Sequence, residues 1–186
     1  MGGIIDRRLV PDESTQLDFM DMDGDGDKDL IATNLGMIPN RERSGNQVQK
    51  QAINIYAFDN EVFVPIYSAH YGQSNFEFGD FNNDGYSDLV ISHPNADTWT
   101  SSFDPNNSPI GTSNGQVDIY YGSQNGVPSI PNLTFYGEQD FQKIGQGLTV
   151  GDFNGDNFSD LVIGSPGFNQ DDGKLDVYFG SSSGLA

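Results

Sequence analysis

An acidic loop that occurs three times constrains this chain more than any other feature of its sequence. The copies are residues 21–29 (DMDGDGDKD), 80–88 (DFNNDGYSD) and 152–160 (DFNGDNFSD), and each runs directly into an aliphatic segment, LIAT, LVIS or LVIG. Carboxylate or amide side chains occupy positions 1, 3, 5 and 9, and such clustering is unfavourable unless a cation neutralises it. Because a hard divalent cation with oxygen ligands does so best, the pattern predicts three calcium loops.

The predicted ligands follow one spacing, in which position 7 contributes only its backbone carbonyl oxygen. They are Asp21, Asp23, Asp25, Asp27 and Asp29 in the first loop; Asp80, Asn82, Asp84, Tyr86 and Asp88 in the second; and Asp152, Asn154, Asp156, Phe158 and Asp160 in the third. Position 6 is Gly26, Gly85 or Asn157, residues that tolerate the left-handed backbone of a sharp bend. The sequence therefore predicts three Ca²⁺ ions per chain.

The end of each loop distinguishes it from an EF-hand. An EF-hand needs a bidentate Glu at position 12, within a helix. Here position 12 is Ala32, Ile91 or Ile163, inside a run with the composition of a strand. The loops are therefore predicted to connect the two strands of β-hairpins.

Composition excludes several classes of function. The 186 residues can bury the core of a single domain, and the net charge of −19 argues against nucleic acid and anionic membranes as partners. There are no cysteines, which excludes disulfides and thiolate chemistry. No apolar stretch has the length of a membrane span, so we expect no membrane insertion. The first ten residues lack the apolar core of a signal peptide; either a signal was removed or the protein is not exported.

A second set of strings recurs in step with the acidic loops. Residues 53–58 (INIYAF), 117–122 (VDIYYG) and 175–180 (LDVYFG) alternate in polarity as strands do, and further strand-like segments lie at 62–72 and 133–137. Together with a strand before each loop, this predicts four antiparallel strands per repeat, the composition of a β-propeller blade. The fold prediction is thus all-β, a β-propeller or partial propeller with three four-stranded blades. The repeats cover about 11–72, 73–137 and 138–186 of one domain.

The third repeat carries a resemblance to a known family. The string GDFNGDNFSDLVIGSP (151–166), with FQKIGQG before it and KLDVYFGSSSGL after it, resembles the FG-GAP repeat of integrin α-subunit propellers. The resemblance covers nearly the whole chain, although the Gly-Ala-Pro element of the family is replaced by 164–166 (GSP), 92–94 (SHP) and 32–34 (ATN). It implies calcium-binding hairpins, cell adhesion and an extracellular or cell-surface location. Related repeats occur in bacterial surface proteins and in a fungal lectin.

Three blades are too few to close a ring, since propellers have four to eight. Two interpretations stay open: the chain is part of a larger propeller, or its copies pair into a six-bladed homo-oligomer. In both, we expect the strand-like residues 4–10 to complete a blade across a chain boundary, which removes an exposed edge.

Ligand-binding candidates lie in two connections that we expect to be long variable loops, 36–50 and 94–116. Trp99 and Phe103 could stack on a sugar or fill a partner's pocket, although Trp99 could equally anchor its own loop. Arg41 and Arg43 could contact an acidic partner or simply be solvated.

No catalytic motif is present in the sequence. The G-x-S-x-G string at 180–184 precedes no helix and has no histidine downstream for a triad. We therefore expect a non-enzymatic, calcium-binding propeller module for extracellular adhesion or protein–protein recognition, with a protein or glycan ligand. The alternatives are a carbohydrate-binding lectin and the scaffold of a polysaccharide-active enzyme.

Overall fold

The computed structural model describes residues 16–21, 26, 28–39, 47–59, 62–71, 75–97 and 112–186. Within those ranges the regular elements are eleven β-strands in three antiparallel sheets. The segment 4–10, predicted to complete a blade, lies outside them. The chain has the architecture of a partial β-propeller, which confirms the predicted fold class.

Each sheet is formed by strands that are consecutive in the chain and is described below as one blade. The first blade contains β1 (Gln16–Met20), β2 (Asp29–Pro39), β3 (Gln47–Asp59) and β4 (Val62–Tyr71). The second contains β5 (Asn75–Gly79), β6 (Asp88–His93), β7 (Gln116–Tyr120) and β8 (Leu133–Tyr136). The third contains β9 (Gly147–Gly151), β10 (Asp160–Ser165) and β11 (Lys174–Tyr178). Four strands per blade were predicted; the third blade has three among the described residues.

Each acidic loop connects the first two strands of its blade. The register pairs Met20 with Asp29, Gly79 with Asp88 and Gly151 with Asp160, so the residue before position 1 faces position 9. Position 12 lies inside the second strand in all three blades. The predicted β-hairpin is confirmed at every copy.

The structure differs from the prediction at residues 36–50, which were expected to form a variable loop. β2 continues to Pro39 and β3 begins at Gln47, and the two strands stay paired up to the Pro39–Gln47 pair. Most of this segment is therefore the end of a long hairpin instead of a loop. Pairing satisfies the backbone N–H and C=O groups of a segment that extends beyond its neighbouring strands.

The main hydrophobic core of the described residues lies between the second and third blades. Its buried members are Phe81, Val90, Val117 and Ile119 of the second blade and Ile144, Leu161 and Ile163 at the third. β6 is buried over five consecutive residues because apolar neighbours cover both of its faces. Burying one such aliphatic side chain contributes about 1.5–3 kcal/mol, so this core holds the second and third acidic loops next to each other.

Candidate metal centre

The second acidic loop is folded around the side chains at positions 1, 3 and 5. The carboxylate of Asp80 accepts hydrogen bonds from the backbone N–H groups of Asp84 (Oδ1, 3.1 Å) and Gly85 (Oδ2, 3.0 Å). Asn82 Oδ1 accepts a hydrogen bond from the N–H of Asp84 at 3.0 Å, and Asp84 Oδ1 accepts one from Tyr86 at 3.0 Å. These local bonds turn the backbone of the loop inward.

The third loop repeats this arrangement almost bond for bond. Asp152 accepts hydrogen bonds from the N–H groups of Asp156 at 3.1 Å and Asn157 at 2.9 Å, and Asn154 Oδ1 accepts one from Asp156 at 3.0 Å. The backbone donors, with the N–H of Asn157 first, hold the pKa of the Asp152 carboxyl below its usual value. Asp152 is therefore ionised at neutral pH, as a cation ligand must be.

The sharp bend predicted at position 6 is present in all three loops. Gly26, Gly85 and Asn157 have φ values of 93°, 90° and 72°. A second left-handed residue that the sequence analysis did not anticipate lies at position 4, where Asn83 has φ 54° and Gly155 has φ 80°. The sequence did carry the signal, since position 4 is Gly or Asn in every copy.

Position 9 is the buried base of each loop. Asp88 accepts hydrogen bonds from the N–H groups of Phe81 at 2.8 Å and Gly122 at 2.7 Å. Asp160 accepts the equivalent bonds from Phe153 at 2.8 Å and Gly180 at 2.9 Å. Position 9 therefore ties the start of its own loop to the end of the third strand.

Burial raises the pKa of Asp88 to about 7, and the neighbouring charges of Asp80 and Asp84 add to this effect. The hydrogen bonds from Gly122 and Phe81 oppose it without cancelling it. A cation among these carboxylates would favour the ionised form of Asp88.

Two glycines at the end of the third strands are required by this contact. A Cβ atom on Gly122 would lie 2.2 Å from the carbonyl oxygen of Ser87, and one on Gly180 would lie 2.3 Å from that of Ser159. The repeated strings VDIYYG and LDVYFG both end on this glycine, which is the signal that sequence reasoning overlooked.

Serine at position 8 connects the loops of neighbouring blades. Ser87 Oγ donates a hydrogen bond to the carbonyl oxygen of Asp21 at 2.8 Å. Ser159 Oγ accepts one from the Asp80 N–H at 3.1 Å, and the Ser159 N–H donates to the Asp80 carbonyl oxygen at 3.0 Å. These contacts were not predicted, and the first loop differs because it has Lys28 at position 8.

The donor chemistry of the loops fits a calcium ion. Positions 1, 5 and 9 offer carboxylate oxygens, and position 3 offers a carboxylate in the first loop and an amide oxygen in the other two. A carboxylate oxygen that accepts one N–H keeps further acceptor capacity. Over the described side chains, no three Asp, Glu or His residues converge tightly enough to define a metal site by themselves. In the second and third loops the amides of Asn82 and Asn154 lie next to the carboxylates of Asp84 and Asp156, each at 2.9 Å. The predicted ligand set of these two loops therefore includes an asparagine amide as well as aspartate carboxylates.

Several predicted site residues lie outside the described part of the chain. They are Asp23, Asp25 and Asp27 of the first loop and the ligand-binding candidates Arg41, Arg43, Trp99 and Phe103. The first loop is described at Asp21, whose Oδ2 accepts a hydrogen bond from the Gly26 N–H at 3.0 Å, and at the buried Asp29. The contact of Asp21 and the burial of Asp29 match their counterparts in the other loops.

The sheets and the repeated acidic loops together define a segment of a β-propeller, and comparison with known proteins identifies its repeats. Residues 74–120 and 144–178 match the FG-GAP repeat. The chain thus contains two stretches of FG-GAP repeat, as its third acidic loop indicated.

Similar proteins fall into two groups. Integrin alpha-PS5 of Drosophila melanogaster is 33% identical over 125 residues, which is 61% of this chain and 11% of the relative. Integrin alpha-PS3 of the same organism is 29% identical over 166 residues, 78% of this chain and 13% of the relative. Phosphatidylinositol-glycan-specific phospholipase D of Rattus norvegicus is 36% identical over 88 residues, 47% of this chain and 9% of the relative. The chain thus spans about a tenth of the length of these relatives.

The described ranges contain no helix with the length and apolarity needed to cross a membrane.

Proposed function

We propose that this chain is a calcium-binding propeller module whose three acidic loops each take one Ca²⁺ ion. The observation that carries the proposal is the repeated arrangement of the second and third loops. In both, positions 1, 3 and 5 are held by the same backbone hydrogen bonds, and position 9 is buried beneath them. The carboxylates of each loop repel one another, and a bound cation would neutralise this repulsion.

Metal analysis of the protein in calcium-buffered solution tests this proposal. Three ions per chain are expected, with one fewer after Asp84→Ala or after Asp156→Ala, because each substitution removes a position 5 carboxylate. Asp171→Asn is the matched control, since Asp171 is an exposed acid outside the loops. Fewer than two ions per wild-type chain would contradict the proposal.

The affinity should suit a calcium-rich environment, on the order of 10⁻⁵ to 10⁻³ M for each site, as in extracellular modules. The first loop has Asp at positions 1, 3, 5 and 9 and should bind most tightly, because the other two loops have Asn at position 3. Isothermal titration with Asp84→Ala and Asp156→Ala isolates the first loop. Nanomolar affinity at all three loops would argue against an extracellular location.

The module's role is recognition of a protein partner at the cell surface or outside the cell. This proposal is supported by the FG-GAP repeats and by the similarity to two integrin α chains. Cell adhesion to the immobilised chain should require calcium and be lost in chelator. A glycan array tests the lectin alternative: selective glycan binding would replace a protein partner by a carbohydrate. If neither cells nor glycans bind, the recognition role fails while calcium binding can still stand.

The similarity to phosphatidylinositol-glycan-specific phospholipase D raises a second candidate, a scaffold within a larger enzyme. That relative is named as an enzyme, and the matched part is 9% of it. On this alternative the blades provide structure and the catalytic groups lie elsewhere in the polypeptide. Hydrolysis of a glycosyl-phosphatidylinositol substrate by the 186-residue chain alone would contradict both the scaffold and the non-enzymatic module.

A further inference from the structure

The third acidic loop contains an asparagine that is followed directly by a glycine. Such Asn–Gly steps occur in the chain at 114–115, 125–126 and 154–155. In a step of this kind the backbone nitrogen of the second residue can attack the Cγ atom of the asparagine, and glycine hinders this attack least because it has no Cβ atom. The product is a cyclic succinimide, which water opens to aspartate or isoaspartate. The groups that surround each step decide whether the reaction occurs.

Two of the three steps are surrounded by groups that do not assist the reaction. Asn114 is 2% exposed, so water does not reach it freely. Asn125 is exposed. At both steps the glycine N–H donates a hydrogen bond to a backbone carbonyl oxygen, at 3.1 Å from Gly115 and at 2.7 Å from Gly126. A carbonyl oxygen is too weak a base to take the proton that the attacking nitrogen must lose.

The step at 154–155 is surrounded by groups that fit each part of the reaction. The Gly155 N–H donates to Asp152 Oδ1 at 2.7 Å, so its proton already points at a carboxylate. The Asp156 N–H donates to Asn154 Oδ1 at 3.0 Å, and this oxygen gains negative charge during the attack. Asn154 Nδ2, the group that must leave, donates to Asp156 Oδ2 at 2.9 Å. A base and an oxyanion donor are thus both in place.

The exposure of this step is a property of the loop, and the second loop provides a comparison. Residues 154–156 are exposed, and so are residues 83–85 of the second loop, which contacts a neighbouring blade on each side. Position 4 is Asn83 in the second loop and Gly155 in the third, with φ values of 54° and 80°. Either residue therefore fits the same left-handed backbone, but only the third loop has glycine after its position 3 asparagine.

We propose that Asn154 is a site of spontaneous deamidation promoted by its own loop. The Gly155 nitrogen attacks Cγ of Asn154, so that an N–Cγ bond forms and the Cγ–Nδ2 bond breaks. The carboxylate of Asp152 takes the proton from the Gly155 nitrogen and passes it to Nδ2, which leaves as ammonia. One water molecule then opens the succinimide. Cleavage at the former side-chain carbonyl gives aspartate, and cleavage at the backbone carbonyl gives isoaspartate.

The two products change the third loop in opposite ways, an inference that rests on the proposed calcium binding. Aspartate gives position 3 the same residue as Asp23 of the first loop and adds one negative charge. A further carboxylate should strengthen the attraction for a divalent cation. Isoaspartate instead inserts a methylene group into the backbone, which shifts positions 5, 7 and 9 relative to Asp152. Deamidation would therefore yield one form of the third loop with higher calcium affinity and one with lower affinity.

Peptide mass spectrometry of the full chain, incubated in excess chelator at neutral pH, tests the site itself. Asn154 should convert faster than Asn125, and Asn114 should stay intact. Gly155→Asn copies the second loop and should slow conversion at Asn154 at least about tenfold. The reciprocal Asn83→Gly should start conversion at Asn82, the position 3 asparagine of the second loop. Circular dichroism verifies that the variants fold.

The role of the carboxylate has a readout of its own within the same molecule. Asp152→Asn should slow conversion at Asn154 about tenfold or more, because it removes the base, and should leave the rate at Asn125 unchanged. Conversion at Asn154 no faster than at Asn125 would overturn the proposal, and so would an Asp152→Asn variant that converts at the wild-type rate.

The effect on the ion is measured separately, after ion-exchange chromatography has resolved the two products. Calcium titration should show the third loop binding more tightly in the aspartate form and more weakly in the isoaspartate form than in the unconverted chain. Equal affinities in all three forms would overturn this consequence. Conversion in a chain that binds no calcium would support the deamidation site and refute the proposed function, so the two failures are distinguishable.

Discussion

The mouth and the base of the second and third acidic loops contain the same type of residue, aspartate, in opposite environments. At the mouth of the second loop, Asp80 and Asp84 accept hydrogen bonds from their own loop. At the base, Asp88 is fully buried and accepts hydrogen bonds from Phe81 and from Gly122, 34 residues away in the sequence. The difference shows that the base joins the strands of the blade, whereas the mouth carries positions 1, 3 and 5 of the proposed ligand set.

The largest effect of a single substitution should come from removing the base. Asp88→Ala leaves the N–H groups of Phe81 and Gly122 buried without an acceptor, at a cost of about 1–3 kcal/mol each. We expect a loss of about 3–5 kcal/mol in the free energy of unfolding, measured by urea denaturation in excess chelator. Asp84→Ala is the matched substitution at the mouth and should cost less than about 1 kcal/mol in chelator. Equal losses for the two variants would abolish the distinction between mouth and base.

Removal of calcium should destabilise the native state through the mouth of each loop. An ion that binds only the native state at 100 times its dissociation constant stabilises it by about 2.7 kcal/mol per site. Chelation should therefore lower the melting temperature of the wild type, and an equal ionic strength of potassium chloride should not reproduce the effect. Asp156→Ala should reduce the calcium-dependent part by one site and leave the first two loops responsive. An unchanged melting temperature in chelator would refute a structural role for the ions.

Crowding at the base should make its glycines intolerant of substitution. The Cβ of Gly122→Ala would lie 2.2 Å from the Ser87 carbonyl oxygen, a backbone atom that cannot move without displacing the second loop. We expect a loss of about 1–3 kcal/mol. Gly85→Ala at the mouth meets no atom within 4 Å and should cost only the strain of its positive φ, about 1 kcal/mol. Thermal denaturation of both variants in chelator measures the difference, and a milder effect at Gly122 would contradict this view of the base.

The smallest effect concerns the contact between loops. Ser159→Ala removes the hydroxyl that accepts the Asp80 N–H, and the lost hydrogen bond should cost about 1 kcal/mol. The same variant should weaken calcium binding at the second loop, although Ser159 belongs to the third. Titration of Ser159→Ala in an Asp156→Ala background isolates this effect, and an unchanged affinity of the second loop would limit Ser159 to packing.

The sequence predicted those parts of the fold and site that are determined locally. The strand–loop–strand unit, the left-handed position 6 and the spacing of Asp80, Asn82 and Asp84 all depend on residues within one hairpin. The partner of Asp88 at Gly122 depends on how a third strand is placed, and the link between Ser159 and Asp80 depends on how two blades meet. The alternation of polar and apolar residues along the sequence contains no information about either contact. The pairing of residues 36–39 with 47–50 was missed for a related reason, since a polar segment between strands has the composition of a loop until pairing is known.

The serine contacts also connect the occupancy of one loop to that of the next. Asp80, the first residue of the second loop, has its backbone held on both sides by Ser159 of the third. An ion that orders the third loop therefore reduces the conformational entropy that the second must lose when it binds. By thermodynamic reciprocity the second loop aids the third by the same free energy. Calcium should accordingly bind to the acidic loops over a narrower concentration range than it would to three independent sites.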